Sequence, residues 1–152
     1  MPKTIISDTS CFILLTKIGE LDILHKVYGQ IITTIDIAIE YGETLPEWVE
    51  IKKVADINKQ KLLELQIDRG ESSAIALALE IPDSTIILDD YKARKIALKL
   101  GIKYTGTIGV IIKAKLKGII PSIKPLLEKI RQTDFRISLD IEIQALKEAK
   151  EV

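Results

Sequence analysis

Short apolar runs rich in β-branched residues recur along this chain, set apart by helix-like stretches, and that alternation constrains its fold more than any other feature. Lys3 to Ser7, Gln30 to Thr33 and Thr85 to Leu88 read as buried strands, the last bounded by Pro82-Asp83 and by a pair of aspartates. A strand that is apolar throughout, rather than on alternate residues, must be covered on both faces. Such coverage calls for parallel strands joined by helical crossovers, an α/β sandwich with a central parallel sheet.

The helical segments fit between the strands. Thr9 or Ser10 can accept backbone N–H bonds and start a helix running to about Lys17, punctuated by Gly19; Leu21 to Tyr28 is a second short helix, and Thr34 to Tyr41 a third, closed by Gly42. Trp48 to Val54 alternates loosely and reads as a minor strand. Asn58 to Gln66 is helical, Gly70 breaks the chain, and the alanine-rich ESSAIALAL from Glu71 to Leu79 can pack closely on a sheet. Beyond the aspartate pair come helices at Tyr91 to Leu100, Thr107 to Leu116 and Ser122 to Arg131. A strand-like KYT and the Gly106 turn separate the first two. Ser138 to Ala149 forms a terminal amphipathic helix with its acids early and its lysines late, as the helix dipole favours.

With 152 residues, 47% of them apolar, the chain has the material for one domain over 1–152. It contains no run of about 18 apolar residues and its N-terminal apolar stretch is short and flanked by charge, so a cytoplasmic protein without a membrane segment is expected. The single cysteine, Cys11, rules out an internal disulfide and a cysteine-cluster metal site, and is read as apolar packing. Net charge is zero, yet residues 91–131 hold 11 Lys and Arg against the lone acid Glu128, while the rest carries 11 bases and 21 acids. That segregation suits a protein that binds cations in one place and phosphates in another; it equally suits lysines solvating helix faces.

Ligands of parallel sheets collect beyond the carboxyl ends of the strands, and Asp8 and the Asp89-Asp90 pair fall there. Two further acids are notable. Glu40 lies in the apolar helix TIDIAIEY, one turn after Asp36, and Glu71 opens the alanine-rich helix. Each acid also has a plain role. Asp8 can cap the first helix, and Glu71 and Asp90 can favour the dipoles of theirs. Were all four to converge, each pair about 4 Å apart would repel by about 4 kcal/mol at an effective dielectric of about 20. Then either some carboxyls stay protonated or a divalent cation occupies the pocket. An oxygen-only donor set favours Mg²⁺ or Mn²⁺. Such an ion activates water and stabilises charge on an attacked phosphate, which suits phosphodiester hydrolysis. Thr9, Ser10 and Thr107 can hold metal waters or phosphate oxygens, and Lys92, Arg94 and Lys95 the substrate backbone. Thr107 is alternatively a helix cap, and Arg94 a surface ion-pair residue. His25, remote in sequence from every acid, is read as a surface or packing residue.

The segments IISDTS, IAIEYG, RGESSAIALALE, IILDDYKARKIALKLGIKYTGTIGVIIKAKLKG and IIPSIKPLLEKIRQTDFRIS, in that order, resemble the PIN-domain family of metal-dependent ribonucleases, within it the branch akin to VapBC toxins. The resemblance runs nearly end to end. It implies a PIN-like α/β/α sandwich and a Mg²⁺ or Mn²⁺ site that cleaves single-stranded RNA. By that correspondence Asp8 matches the first family aspartate, Glu40 the helix glutamate and Asp90 the aspartate after the later strand; Glu71 stands where many relatives have aspartate. LDD replaces the threonine, any residue, aspartate pattern of many members, so Asp89 remains an alternative ligand to Asp90. By analogy a small antitoxin and a homodimer are the expected partners. Two other functions compete: a non-catalytic RNA- or protein-binding module on the same fold, and a receiver-like phosphoacceptor. The last fits poorly, because receivers place their acidic pair near the N-terminus.

Overall fold

A computed structural model describes residues 4–152. Five strands form one all-parallel sheet: β1 (Thr4–Ser7), β2 (Ile31–Thr34), β3 (Val49–Lys52), β4 (Ser84–Ile87) and β5 (Lys103–Thr105), in the spatial order β3-β2-β1-β4-β5. Lys3, the expected first residue of β1, lies outside the described residues. The helices are α1 (Thr9–Lys17), α2 (Asp22–Tyr28), α3 (Ile35–Tyr41), α4 (Ile57–Leu63), α5 (Arg69–Glu80), α6 (Tyr91–Lys99), α7 (Thr107–Leu116), α8 (Lys124–Arg131) and α9 (Leu139–Glu148). They cover the sheet to give the three-layer α/β/α sandwich expected from the alternation.

The core follows from the strand composition. Ile5, Ile6, Ile31, Ile86 and Ile87 are all buried, with Phe12, Leu15 and Leu24 closing over them. Helix α5 lies across β1, β2 and β4. Its Ala74, Ala76 and Ala78 are buried, and their small side chains let a helix approach a sheet this closely. On other contacts α2 meets β2 and α7, and α7 meets α9.

Topology then sets where ligands can go. The chain steps from β1 outward through β2 to β3, then returns across β1 to build β4 and β5 on the other side. The neighbours β1 and β4 therefore flank the point at which the winding reverses, where a crevice opens beyond the strand ends. Their register pairs Ser7 with Ile87, and the Asp8 amide donates to the Ile87 carbonyl at 3.1 Å. Leu88, expected within the strand, still follows the ladder through its amide to the Thr105 carbonyl at 2.8 Å. Acids 81 residues apart in sequence, Asp8 and Asp89, thus emerge side by side.

Two local expectations are corrected. Thr9 opens α1, but neither it nor Ser10 caps the helix; Asp8, the other expected cap, does, its carboxylate accepting the Cys11 amide at 2.9 Å. Nor does Gly70 break the chain. It lies inside the first turn of α5, which begins one residue earlier behind the cap Asp68. The cost of glycine is small at a helix start, and here the missing side chain makes room for Glu40, as described below.

Candidate functional site

The buried carboxylate of Asp8, 3% exposed, anchors the crevice. One oxygen caps α1, and the other accepts the Asp89 amide at 3.1 Å, so the same side chain ties the end of β1 to the loop after β4. Burial pushes its pKa well above the ordinary carboxylate value, and the Asp89 charge pushes it further; the Cys11 and Asp89 amides pull the other way, and Glu71 adds to the rise.

Asp89 and Asp90 diverge. Asp89 turns toward α7, accepting the Thr107 amide at 2.9 Å and the Thr107 hydroxyl at 2.5 Å, with Arg94 Nη2 at 3.8 Å. Asp90 stays exposed and caps α6 through the Ala93 amide at 2.9 Å. Glu71, in the first turn of α5, is half-buried. Its pKa is raised to about 8, chiefly by burial and then by the charges of Asp68 and Asp90. Sequence reasoning misses Asp68, although its spacing three residues before Glu71 is that of a capping box, with aspartate in place of serine or threonine.

Glu40 reaches the same edge from α3. Its Oε1 accepts the Thr9 hydroxyl at 2.6 Å, and a Cβ on Gly70 would collide with that oxygen. Its stripe-mate Asp36 goes elsewhere, to the Gln60 amide at 2.7 Å. The expected acids thus share one edge: Asp8 meets the charges of Asp89 and Glu71, Glu71 those of Asp68 and Asp90, and Glu40 stands beside Gly70. They do not form a single tight knot. Among the described residues no three Asp, Glu, His or Cys side chains stand close enough together to hold a cation as they are placed.

The expected substrate contacts divide. Thr9 and Thr107 donate to Glu40 and Asp89, and Gly106 rather than Thr107 is the N-cap of α7. Arg94 is held on three sides: Nε donates to the Leu88 carbonyl at 2.5 Å, the ion pair faces Asp89, and the guanidinium lies 5.2 Å from the Tyr104 ring centre. Ser10 and Lys92 are exposed. Ser10 lines a shallow hollow with Lys17 and Asp134. Much of the basic segment is spent on internal contacts, with Lys115 pairing Glu151 at 3.1 Å, Lys117 reaching the Val27 carbonyl and Arg131 bonding Glu128 and Glu142. His25 stacks on Trp48, centroids 5.3 Å apart, and Cys11 is fully buried, so both are packing residues.

A raised carboxyl pKa means that the folded protein holds its proton more tightly than the unfolded chain does. Between the ordinary value of 4.5 and about 8, Glu71 therefore makes stability fall as pH rises, and Asp8 acts in the same direction. A cation that takes the proton's place removes this loss. In EDTA the melting temperature is expected to drop across this window, while saturating Mn²⁺ raises it most at the alkaline end. Glu71→Gln should flatten the EDTA profile. A profile that climbs toward pH 8 in EDTA and is indifferent to Mn²⁺ would contradict this electrostatic reading.

An all-parallel α/β sandwich whose strand ends carry clustered acids defines the class of protein. The family model described as DUF3368: PIN domain matches residues 4–151, and the chain belongs to the PIN-domain family. PIN domains are typically nucleases and generally use divalent metal ions. No curated protein and no solved structure matches the chain.

Proposed function

We propose that the protein is a Mg²⁺- or Mn²⁺-dependent endoribonuclease that cleaves single-stranded RNA, the toxin of a toxin–antitoxin pair acting in the cytoplasm. One observation carries the reading: Asp8 and Glu71, from β1 and α5, are both driven toward their protonated forms by burial and by neighbouring acids at the carboxyl edge of the sheet. Like charges collected in this way are relieved by a cation.

The donor chemistry fits a hard divalent ion, because the candidate ligands Asp8, Glu71, Asp90 and the alternative Asp89 offer only carboxylate oxygens. The lack of a ready-made three-ligand cage among the described residues is compatible with Mg²⁺, which usually keeps several waters and binds through one or two carboxylates. Bound there, the ion would lower the pKa of a water and stabilise charge developing on the attacked phosphate. The chain's own residues have distinct parts. Asp8 would be the central ligand at the floor of the crevice, and Glu40, held by Thr9, would orient or deprotonate a water. Thr107 and Arg94 immobilise Asp89, while exposed Lys92 and Ser10 are open to the RNA backbone.

A homodimer and a small antitoxin complete the proposal.

Purified protein should cleave single-stranded RNA with Mn²⁺ or Mg²⁺, stop in EDTA and spare duplex RNA. Parallel Asp89→Asn and Asp90→Asn variants separate the two ligand assignments. The Asp90 variant is expected to lose about a hundredfold in cleavage, and the Asp89 variant to lose stability through its Thr107 bonds. RNA binding with a steep salt dependence and no cleavage under any divalent ion would instead make the protein a binding module.

A further inference from the structure

Beside the acidic crevice, with Asp89 on its wall, lies a cavity of about 320 Å³ between α7, α9 and the segment joining α8 to α9. We infer that this cavity holds one unstacked nucleobase of the RNA, next to the phosphate that the carboxylates address; the inference rests on the nuclease reading above.

Three observations point to a base. First, much of the lining is apolar: Ile108 and Ile112, one turn apart on α7, Ile141 of α9, and Phe135 and Ile137 between α8 and α9. All are partly exposed rather than sealed into the core. Second, the polar side chains at the cavity are Asp89, Arg94, Arg136, Gln144 and Glu148, a mixture of donors and acceptors. A nucleobase has that combination, two apolar π-faces and a hydrogen-bonding edge. A wholly aliphatic side chain would leave these groups unpaired. Third, the junction between cavity and crevice is built. A Cβ on Gly106 would collide with Arg94 Nη2 and lie 2.9 Å from Asp89 Oδ1, so only glycine lets the guanidinium and the carboxylate meet at the cavity mouth. Arg94 is already oriented by Leu88 and Tyr104, and a fixed guanidinium plane is a stacking surface for a base. The volume is at the small end for ligand sites, which suits one base and not a peptide.

The test uses the full chain in EDTA, with methyl NMR signals of Ile108, Ile112, Ile137 and Ile141 as reporters. A nucleoside 5′-monophosphate should shift these signals, and ribose 5-phosphate, which lacks the base, should not. Ile112→Trp fills the cavity. It should abolish the shifts and weaken binding of single-stranded RNA about tenfold while leaving an abasic oligonucleotide bound as before; Gln144→Leu serves if the tryptophan variant does not fold. Shifts caused equally by both ligands or by neither overturn the inference, as does a filled cavity that still distinguishes abasic from intact RNA. Base-dependent shifts in a protein that never cleaves RNA would uphold the pocket and remove the nuclease reading. Cleavage with base-independent shifts would do the reverse.

Discussion

Asp8→Asn should fold, keep its melting temperature in EDTA within a few degrees of the parent, and lose about a thousandfold in RNA cleavage. The stability part follows from opposing effects. The asparagine carbonyl can still cap α1 at the Cys11 amide, and replacing the charge relieves its repulsion with Asp89 and Glu71. Against this, the asparagine NH₂ would face the Asp89 N–H, two donors pointing at each other, at a cost of about 1–3 kcal/mol. The activity part follows because the substitution removes the one buried carboxylate shared by both strand ends. A thousandfold is about 4 kcal/mol of transition-state stabilisation, reasonable for a lost metal ligand. The melting-temperature rise on adding Mn²⁺ should vanish with it. A variant that cuts within tenfold of the parent and still responds to Mn²⁺ would remove Asp8 from the machinery.

Gly70→Ala is the second expected large effect, and the less intuitive one. The added methyl would collide with Glu40 Oε1 and lie 2.9 Å from its carboxyl carbon. Glu40 is exposed and flexible, so its side chain moves and the backbone stays. The move breaks its 2.6 Å bond from Thr9. Helix α5 loses a glycine near its start and gains up to about 0.5–1 kcal/mol, so the protein should melt at the same temperature or slightly higher. Cleavage should fall about a hundredfold. Glu40→Gln should cost a similar factor, and the double variant little more than either, because both changes act on one carboxylate. Losses that multiply would show that Gly70 acts by another route, and an alanine variant with full turnover would show that Glu40 need not stay where Thr9 holds it.

The parts of this molecule that can be read from its sequence are those fixed by local chemistry. The TIILDD stretch announces a covered strand ending in acids, because a β-branched run closed by paired charges satisfies few arrangements besides a buried strand with a polar rim. The alternation of strands and helices likewise implies the parallel sheet. The division of labour within the aspartate pair cannot be read. It depends on Thr107, 18 residues later, which draws Asp89 aside while Asp90 turns to its own helix. Glu40 stands out as a charge in an apolar helix, yet in the fold Ile37 is the only buried residue of that helix and Ile39 points to solvent, so its conspicuousness has a different cause from the one inferred. Gly70 reads as a helix breaker by propensity. Its use as an empty space beside a carboxylate is a tertiary fact, visible only once α3 and α5 are docked.

The pairing of β1 with β4 also bears on how the protein comes into being. The two halves of the crevice are joined by an amide-to-carboxylate bond spanning 81 residues, and closing so long a loop is entropically slow. A chain still emerging from the ribosome, with β1 and its helix made but β4 unmade, has Asp8 but neither Asp89 nor Asp90, and no crevice. The crevice therefore takes shape only after β4 has emerged and paired with β1, late in the making of the chain.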